Sequence, residues 1–598
     1  MDISVDLVES KKTQVPFEYY DLPVCPGGEV ERAQRVHRNI GAKLQGYSYK
    51  PSPYPIKVLE STSCTPLCLV KISKRKLVWL RSLVERQYRI HMSLDSLPLL
   101  MRSYEYKYAA RGFPIGFKGQ DDEFFLYNHL RFTIGYNKQP NDSIHITSFE
   151  VHPVSIRHGV DGDAVKFDTQ IETCNTQSTN NVVNDPSNYL PLVLTNSEVL
   201  EVVYSYEVFW LEQDLEWSDR WDVYLVGSPD DEIHYFAIVN SLMVVVFLTC
   251  AVSVIMIRTL KKDIATYNDI SMQDDDLEET GWKLVHGDVF RPPKTGAMLL
   301  SICVGTGSQI GVAITITLLS ALLGALNPMN KGETLTSILI LYVLSGSVAG
   351  YISSRIYKLC DGKAWKRATL LTATGFPGLL VGMFLCLDLF LTFAGAATAV
   401  SVWTIISLFL LWVCVSTPLV FVGSYFGYKA DKIESPTKTN QIARFIPEGP
   451  WYTQSPRSWI VSGLLPFGSV SIEILFIMAA VWLHQIFYAI GFLLFVVLIL
   501  ALTCAEVAIV MNYLKLASED HEWWWSSFMN CAFTGAYLLL YSIWFLSSKL
   551  SLVGFLPVLV YLTYMTMMSI TLGLFCGAIG FLSCLVFNKT IYSAVKVD

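Results

Sequence analysis

The sequence predicts a membrane protein made of an N-terminal β-sandwich-like domain followed by a nine-helix transmembrane bundle. Three observations predict it. Hydrophobic residues make up 52% of the 598-residue chain and charged residues only 16%, against about 25% charged in an ordinary soluble domain. The deficit falls after residue 235, in apolar runs that match the roughly 20 residues a helix needs to cross ~30 Å of hydrocarbon. Before residue 235 the apolar residues alternate with polar ones, the period of a half-buried strand.

The first span, 236–257, reads FAIVNSLMVVVFLTCAVSVIMI and carries no formal charge. Eight more follow at 297–326, 334–354, 368–393, 398–427, 459–483, 485–513, 526–547 and 552–587. The last run exceeds one crossing, so tilt or a helical extension is expected. The chain thus divides into a head (1–235), a first helix (236–257), a linker (258–296), an eight-helix bundle (297–587) and a tail (588–598).

Lys and Arg in short loops set orientation. One set of loops holds Arg258, Lys261, Lys262, Lys283, Arg291, Lys294, Arg355, Lys358, Lys363, Lys366 and Arg367. It continues with Lys429, Lys432, Lys438, Arg444, Arg457, Lys515, Lys589 and Lys596, whereas the opposite loops hold only Lys331 and Lys549. The basic set is expected in the cytosol, with linker and tail. An odd number of spans then puts the head in a lumen or outside the cell. A translocated head normally needs a signal peptide, and MDISVDLVESKK has no apolar core. A missing first exon is the favoured expectation, and insertion of the first span as a reverse anchor the other.

Within the head, Leu200, Val202, Tyr204, Tyr206, Val208 and Trp210 alternate with Glu201, Ser205 and Glu207, which marks a strand with one buried face. NKQPNDS and NDPSN punctuate it like sheet turns, and one helix is expected over 76–87. Cys25, Cys64, Cys68 and Cys174 are expected to form one or two disulfides, with three complete pairings open. A metal at Cys64 and Cys68 is disfavoured, because no His or acidic cluster adjoins them. The other nine cysteines read as packing residues. Asn141 opens an N-D-S sequon on the translocated side. Asn588 opens another on the cytosolic side, where it should stay unmodified.

Motifs along the whole chain carry a family resemblance. They are PFEYYDLPVC (16–25), RWDVYL (220–225), GWKLVHGDVFRPP (281–293), TNQIARFIPEGPWY (439–452), LLPFGSVSIEILFI (464–477), SEDHEWWWSSF (518–528) and IYSAVKVD (591–598). With them the chain resembles the nonaspanins, the transmembrane nine superfamily, also called the endomembrane protein 70 family. Ala443 stands where the family usually has proline, and Ser526 where a basic residue is common. The resemblance implies residence in Golgi and endosomal membranes and a part in localising or sorting other membrane proteins. It also implies that Lys596 and Asp598 form a KxD/E tail signal read by the COPI coat. A lysine two positions before a terminal acid offers one cation and paired carboxylates to a polar pocket.

Five glycine pairs have the four-residue spacing that allows close helix approach: 307/311, 346/350, 378/382, 423/427 and 573/577. Packing within the protein is one reading. The family reading adds association with glycine-rich spans of client proteins. Asp388, Glu473 and Glu506 sit inside spans and His484 at a junction. A charge at a helix centre costs about 2.5–3.5 kcal/mol on insertion scales, so these groups are expected to face the bundle interior, either for packing or as a proton or ion path. Met565, Met567 and Met568 have thioethers suited to Cu(I) but read as core or lipid-facing residues. The acidic run 274–279 reads as a solvated segment. Trp523, Trp524 and Trp525 read as an interfacial aromatic belt.

Several chemistries lack their motifs. GTGSQIG has no P-loop lysine, and His521–Glu522 is not followed by the second histidine of a zinc protease helix. A single aspartate deep in a span does not make an intramembrane aspartyl protease. No basic stripe supports nucleic-acid binding. The expectation is a non-enzymatic sorting protein without cofactors, contacting lipids, the coat and client spans. The alternatives are a proton, ion or lipid transporter and a lumenal glycan or ligand receptor, for which fold alone gives no licence.

Overall fold

The computed structural model describes residues 3–26, 39–47, 50–102, 109–119, 122–138, 143–159, 188–193, 199–221, 231–270, 281–326, 332–482 and 490–594. The head buries its apolar strand faces by stacking two six-stranded sheets around one core. In the first, the order is Phe17–Glu18, Ser4–Glu9, Arg89–Leu94, Leu97–Pro98, with Lys50–Pro51 and Phe113–Pro114 paired alongside. The second runs Thr62–Ser73, Val199–Glu212, His129–Lys138, Ile144–Val154, Leu100–Arg102, Ala109–Arg111. The alternation expected at 200–210 lies inside Val199–Glu212, whose Val202, Tyr204, Tyr206 and Val208 enter the core with Phe132 and Phe149. Among the described residues, two short α-helices complete the head. α1 (Ile40–Leu44) is capped by Asn39, whose side chain accepts from the Ala42 N–H at 2.7 Å. α2 (Lys74–Glu85), expected at 76–87, buries Leu77, Leu80, Leu83 and Val84 on one face.

The polar side of the long strand departs from expectation. Ser205 and Glu207 alternate as a solvent face should, yet are 0% and 4% exposed. Of the possible cysteine pairings, Cys25–Cys68 is formed, tying the N-terminal segment to the strand Thr62–Ser73. Cys64 is also disulfide-bonded. Cys174, Asn141, His484, Lys596 and Asp598 lie outside the described residues, as does the acidic run 274–279.

The bundle comprises α3 (Asp231–Ile270), α4 (Ala297–Leu322), α5 (Glu333–Leu344), α6 (Gly346–Leu359), α7 (Trp365–Phe393), α8 (Val402–Leu411) and α9 (Thr417–Lys429). It continues with α10 (Arg457–Ser469), α11 (Ser471–Trp482), α12 (Ile490–Ala517), α13 (Trp523–Ser548) and α14 (Phe555–Ser593). Among the described residues, eight segments are long and apolar enough to cross a membrane, and α10 with α11 make a ninth only as a pair bent by 67°. The spans expected at 334–354 and 398–427 are each built from consecutive helices, the second joined by a π-helical turn at Trp412–Ser416. The first helix starts before 236 and runs past 257 into the expected linker. The final run is one 39-residue helix.

Close backbone contact sets the packing. A Cβ on Gly350 would overlap Val420 O, and one on Gly423 would overlap Ser347 O, so α6 and α9 meet at van der Waals contact of their main chains. Gly307 faces Leu574 O across α4 and α14 in the same way. Pro377 inside α7 leaves the Ala373 carbonyl without its helical donor. The Trp412 indole N–H fills that place at 3.0 Å.

Trp523 and Trp524 do not form an interfacial belt. Trp523 and Trp524 are 0% and 2% exposed, and Trp523 stacks on Phe581. The Trp523 indole donates to Val289 O at 2.8 Å and Trp525 to Thr295 O at 3.2 Å. The Trp523 and Trp525 ring N–H groups thus anchor the 281–295 segment to α13.

The head touches the bundle through residues 10–16. Val553 N donates to Lys12 O at 3.0 Å and Ala397 N to Pro16 O at 2.8 Å. Gln14 donates through Nε2 to Trp482 O at 2.9 Å, and Val15 packs among Leu387, Leu391, Ala396 and Val560. Gly41 N donates to Thr336 Oγ1 at 2.8 Å, joining α1 to α5.

Gly350→Ala or Gly423→Ala should each destabilise the bundle by about 1–3 kcal/mol, the usual range for overpacking. Thermal unfolding in detergent checks this, and Gly382→Ala, where an added Cβ meets nothing within 4 Å, should leave the melting temperature unchanged.

Candidate functional site

The three acidic residues expected inside spans have different surroundings. Asp388 on α7 has a structural partner: its carboxylate accepts from Val400 N at 2.8 Å and so holds the loop before α8. Glu506 on α12 faces the Thr249 hydroxyl of α3. Glu473 is the third residue of α11, just past the 67° bend. It is 2% exposed, and neither carboxylate oxygen has a hydrogen-bond partner among the described residues. The structure therefore brings the expected acids to three separate places.

The glycine pairs also separate. Gly307 and Gly311 meet Leu574 O and the Phe575 ring, Gly346 and Gly350 meet Val420, Gly423 and Gly427 meet Ser347 and Ser354, and Gly573 and Gly577 meet Ala532 O and Phe528. On α7, Gly382 has nothing within reach of an added Cβ and Gly378 only a Trp412 ring atom at 3.8 Å. This face borders a groove of about 480 Å³, lined by Cys386 and Phe390 of α7 and by Leu559 and Thr563 of α14. Met565 is buried in the core while Met568 is 42% exposed, so the methionines do not converge.

Two further sites escaped the sequence reading. At the bundle end away from the head, three family-like motifs interlock. Asn440 N donates to Gly287 O at 2.9 Å, Thr437 Oγ1 to His286 O at 2.7 Å, and Arg444 N to Asp288 Oδ2 at 3.2 Å. Arg291 pairs with buried Asp288 at 2.5 Å and also donates to Asn440 O. Distance along the chain hid this collar.

The second lies in the head. Parallel pairing sets His129 opposite Ser205 and Arg131 opposite Glu207. Ser205 Oγ is 2.8 Å from His129 Nδ1 and 2.9 Å from His158 Nε2. Glu207 pairs with Arg131, and its Oε1 is 3.5 Å from His129 Nε2. Because Ser205 is fully buried and shared by two imidazoles, this Ser, His and Glu set is a hydrogen-bonded hub and not an exposed nucleophile. Burial pushes the Glu207 carboxyl up, but hydrogen bonds from His129 and Arg131 outweigh it and hold the carboxyl below the usual range. Burial, with His129 adding to it, pushes His158 down to about 4. The alternation of His129, Arg131 and Thr133 in HLRFT was the available signal.

The organisation of a sheet-rich head, eight apolar helices and one bent pair matches a family by sequence. The model of the endomembrane protein 70 family matches residues 16–555. The chain belongs to that family. Among its relatives, Arabidopsis thaliana transmembrane 9 superfamily member 10 is 39% identical over all of this chain and 94% of its own length. Member 2 of the superfamily from Rattus norvegicus is 36% identical, and that from Homo sapiens 35%, each over all of this chain and 91% of its own length. No solved structure matches. The chain is thus a multi-pass membrane protein of the transmembrane 9 superfamily, and none of these relatives is named for a catalytic activity.

His158 makes the head acid-sensitive. The unfolded histidine binds its proton near pH 6.5 and the folded one only near pH 4. Between those values the unfolded state holds more protons, so stability falls as pH drops. Depressed Glu207 extends the loss to lower pH as its own proton goes on. Hydrogen-exchange protection of Val199–Glu212 in the whole protein should fall between pH 6.5 and 4, and His158→Gln should flatten that profile.

Proposed function

We propose that this protein is a non-enzymatic sorting factor of Golgi and endosomal membranes, which localises other membrane proteins by taking their glycine-rich spans against α7. The observation that carries the reading is the unpaired face at Gly378 and Gly382. The four other glycine pairs meet neighbouring helices or side chains of this chain. Association of helices in a membrane depends on close packing of small residues, because lipid tails are as apolar as the side chains. A face of small residues beside an open groove suits a client helix with the same property.

Basic loops hold the tail in the cytosol and the head in the lumen. Lys596 and Asp598 then present the coat-binding signal and keep the protein in place, while Asn141 carries a glycan on the lumenal side. The partners are membrane lipids, the COPI coat and client spans.

Site-specific crosslinking from α7 should capture a client span in the native protein and lose it in Gly378→Ala, Gly382→Leu, with unchanged melting temperature. Crosslinks confined to this chain would remove the reading. Independently, Lys596→Ala with Asp598→Ala should move a tagged protein beyond the Golgi, and imaging that shows the same distribution would refute the tail signal.

A further inference from the structure

We propose that the bend between α10 and α11 is a binding site for one small monovalent cation, held by the carboxylate of Glu473. The site goes beyond the sorting reading and does not depend on it.

The case starts with the unpaired carboxylate. Two other buried acids accept hydrogen bonds: Asp388 from Val400 N, and Asp288 from Arg291 and Arg444 N. Glu473 alone among the buried acids of the described spans has both oxygens in the interior with no hydrogen bond. An unpaired charge in that setting is costly. A bound cation relieves the cost.

The bend supplies the second element. Broken helices at mid-membrane free polar groups for ion coordination. Here Val470 separates the two halves, and Ser469 Oγ lies 3.4 Å from Thr503 Oγ1 on α12. Ser469 donates its hydroxyl hydrogen to Pro466 O at 2.8 Å and Thr503 donates to Ile499 O at 2.9 Å. Each hydroxyl oxygen therefore remains an acceptor. A single carboxylate neutralises one positive charge, which favours a monovalent over a divalent ion. A proton and a sodium ion share this chemistry, and the test distinguishes them.

The experiment is thermal unfolding of the full-length protein in detergent. One arm compares sodium chloride with choline chloride at pH 7.5. The other compares pH 6 with pH 8 in choline. A ligand that binds only the folded state raises its melting temperature. The expected result is a rise of about 2–4 °C in one arm, absent from Glu473→Gln. A sodium response identifies the metal ion, and a difference confined to the pH arm identifies the proton. The histidines of the head titrate in both proteins and cancel from the comparison. Equal responses of wild type and Glu473→Gln in both arms would overturn the site. Should Glu473→Gln fail to fold, Glu473→Asp keeps the charge on a shorter arm and should shift the half-maximal sodium concentration or pH. An unchanged value there would equally refute it.

Discussion

Inside hydrocarbon a polar group has only protein to bond with, and this constraint organises the bundle. It explains why Trp412 reaches across to the carbonyl that Pro377 leaves open, and why threonine and serine hydroxyls are turned onto their own helix carbonyls, as Thr317 is onto Ala313 O. It also explains the paired amides of Asn512 and Asn588 at 2.6 Å between α12 and α14. Helices that satisfy their backbones internally then associate through shape. Glycine supplies the shape, bringing α6 and α9 to main-chain contact. Glu473, with both carboxylate oxygens buried and unbonded, and the open face of α7 are where the proposed functions lie.

Among the described residues, the head is joined to the bundle chiefly through main-chain groups. Lys12, Pro16 and Trp482 contribute carbonyl oxygens, and Val15 fills a small apolar pocket between α7 and α14. Salt screens surface ion pairs and leaves such contacts little affected. Gln14 reaches the last residue of α11, the half-helix whose first turn carries Glu473. Head and bent span are therefore in direct contact.

The head itself carries a second unusual economy of polarity. Its core face is ordinary, aromatic and aliphatic. Its other face joins buried His129, Ser205 and Glu207 with half-buried Arg131 in one network in which Glu207 pairs with Arg131. Buried networks of this kind are stable only when satisfied, which makes the protonation of a single imidazole consequential.

What the sequence determined was set by one-dimensional physics. Hydropathy located the apolar spans, period-two alternation located the strand Val199–Glu212, and motifs spread along the chain pointed to the family. These signals need only a residue's near neighbours. Tertiary structure decided the rest. Cys25 chose Cys68, Trp523 and Trp524 became buried anchors, and Asp388 became a loop acceptor. Four glycine pairs were consumed in packing while one stayed open, and the span expected at 459–483 became a bent pair with an unpaired glutamate beside the bend. Each outcome depends on which distant segment supplies or withholds a partner, and periodicity along a chain contains no record of that.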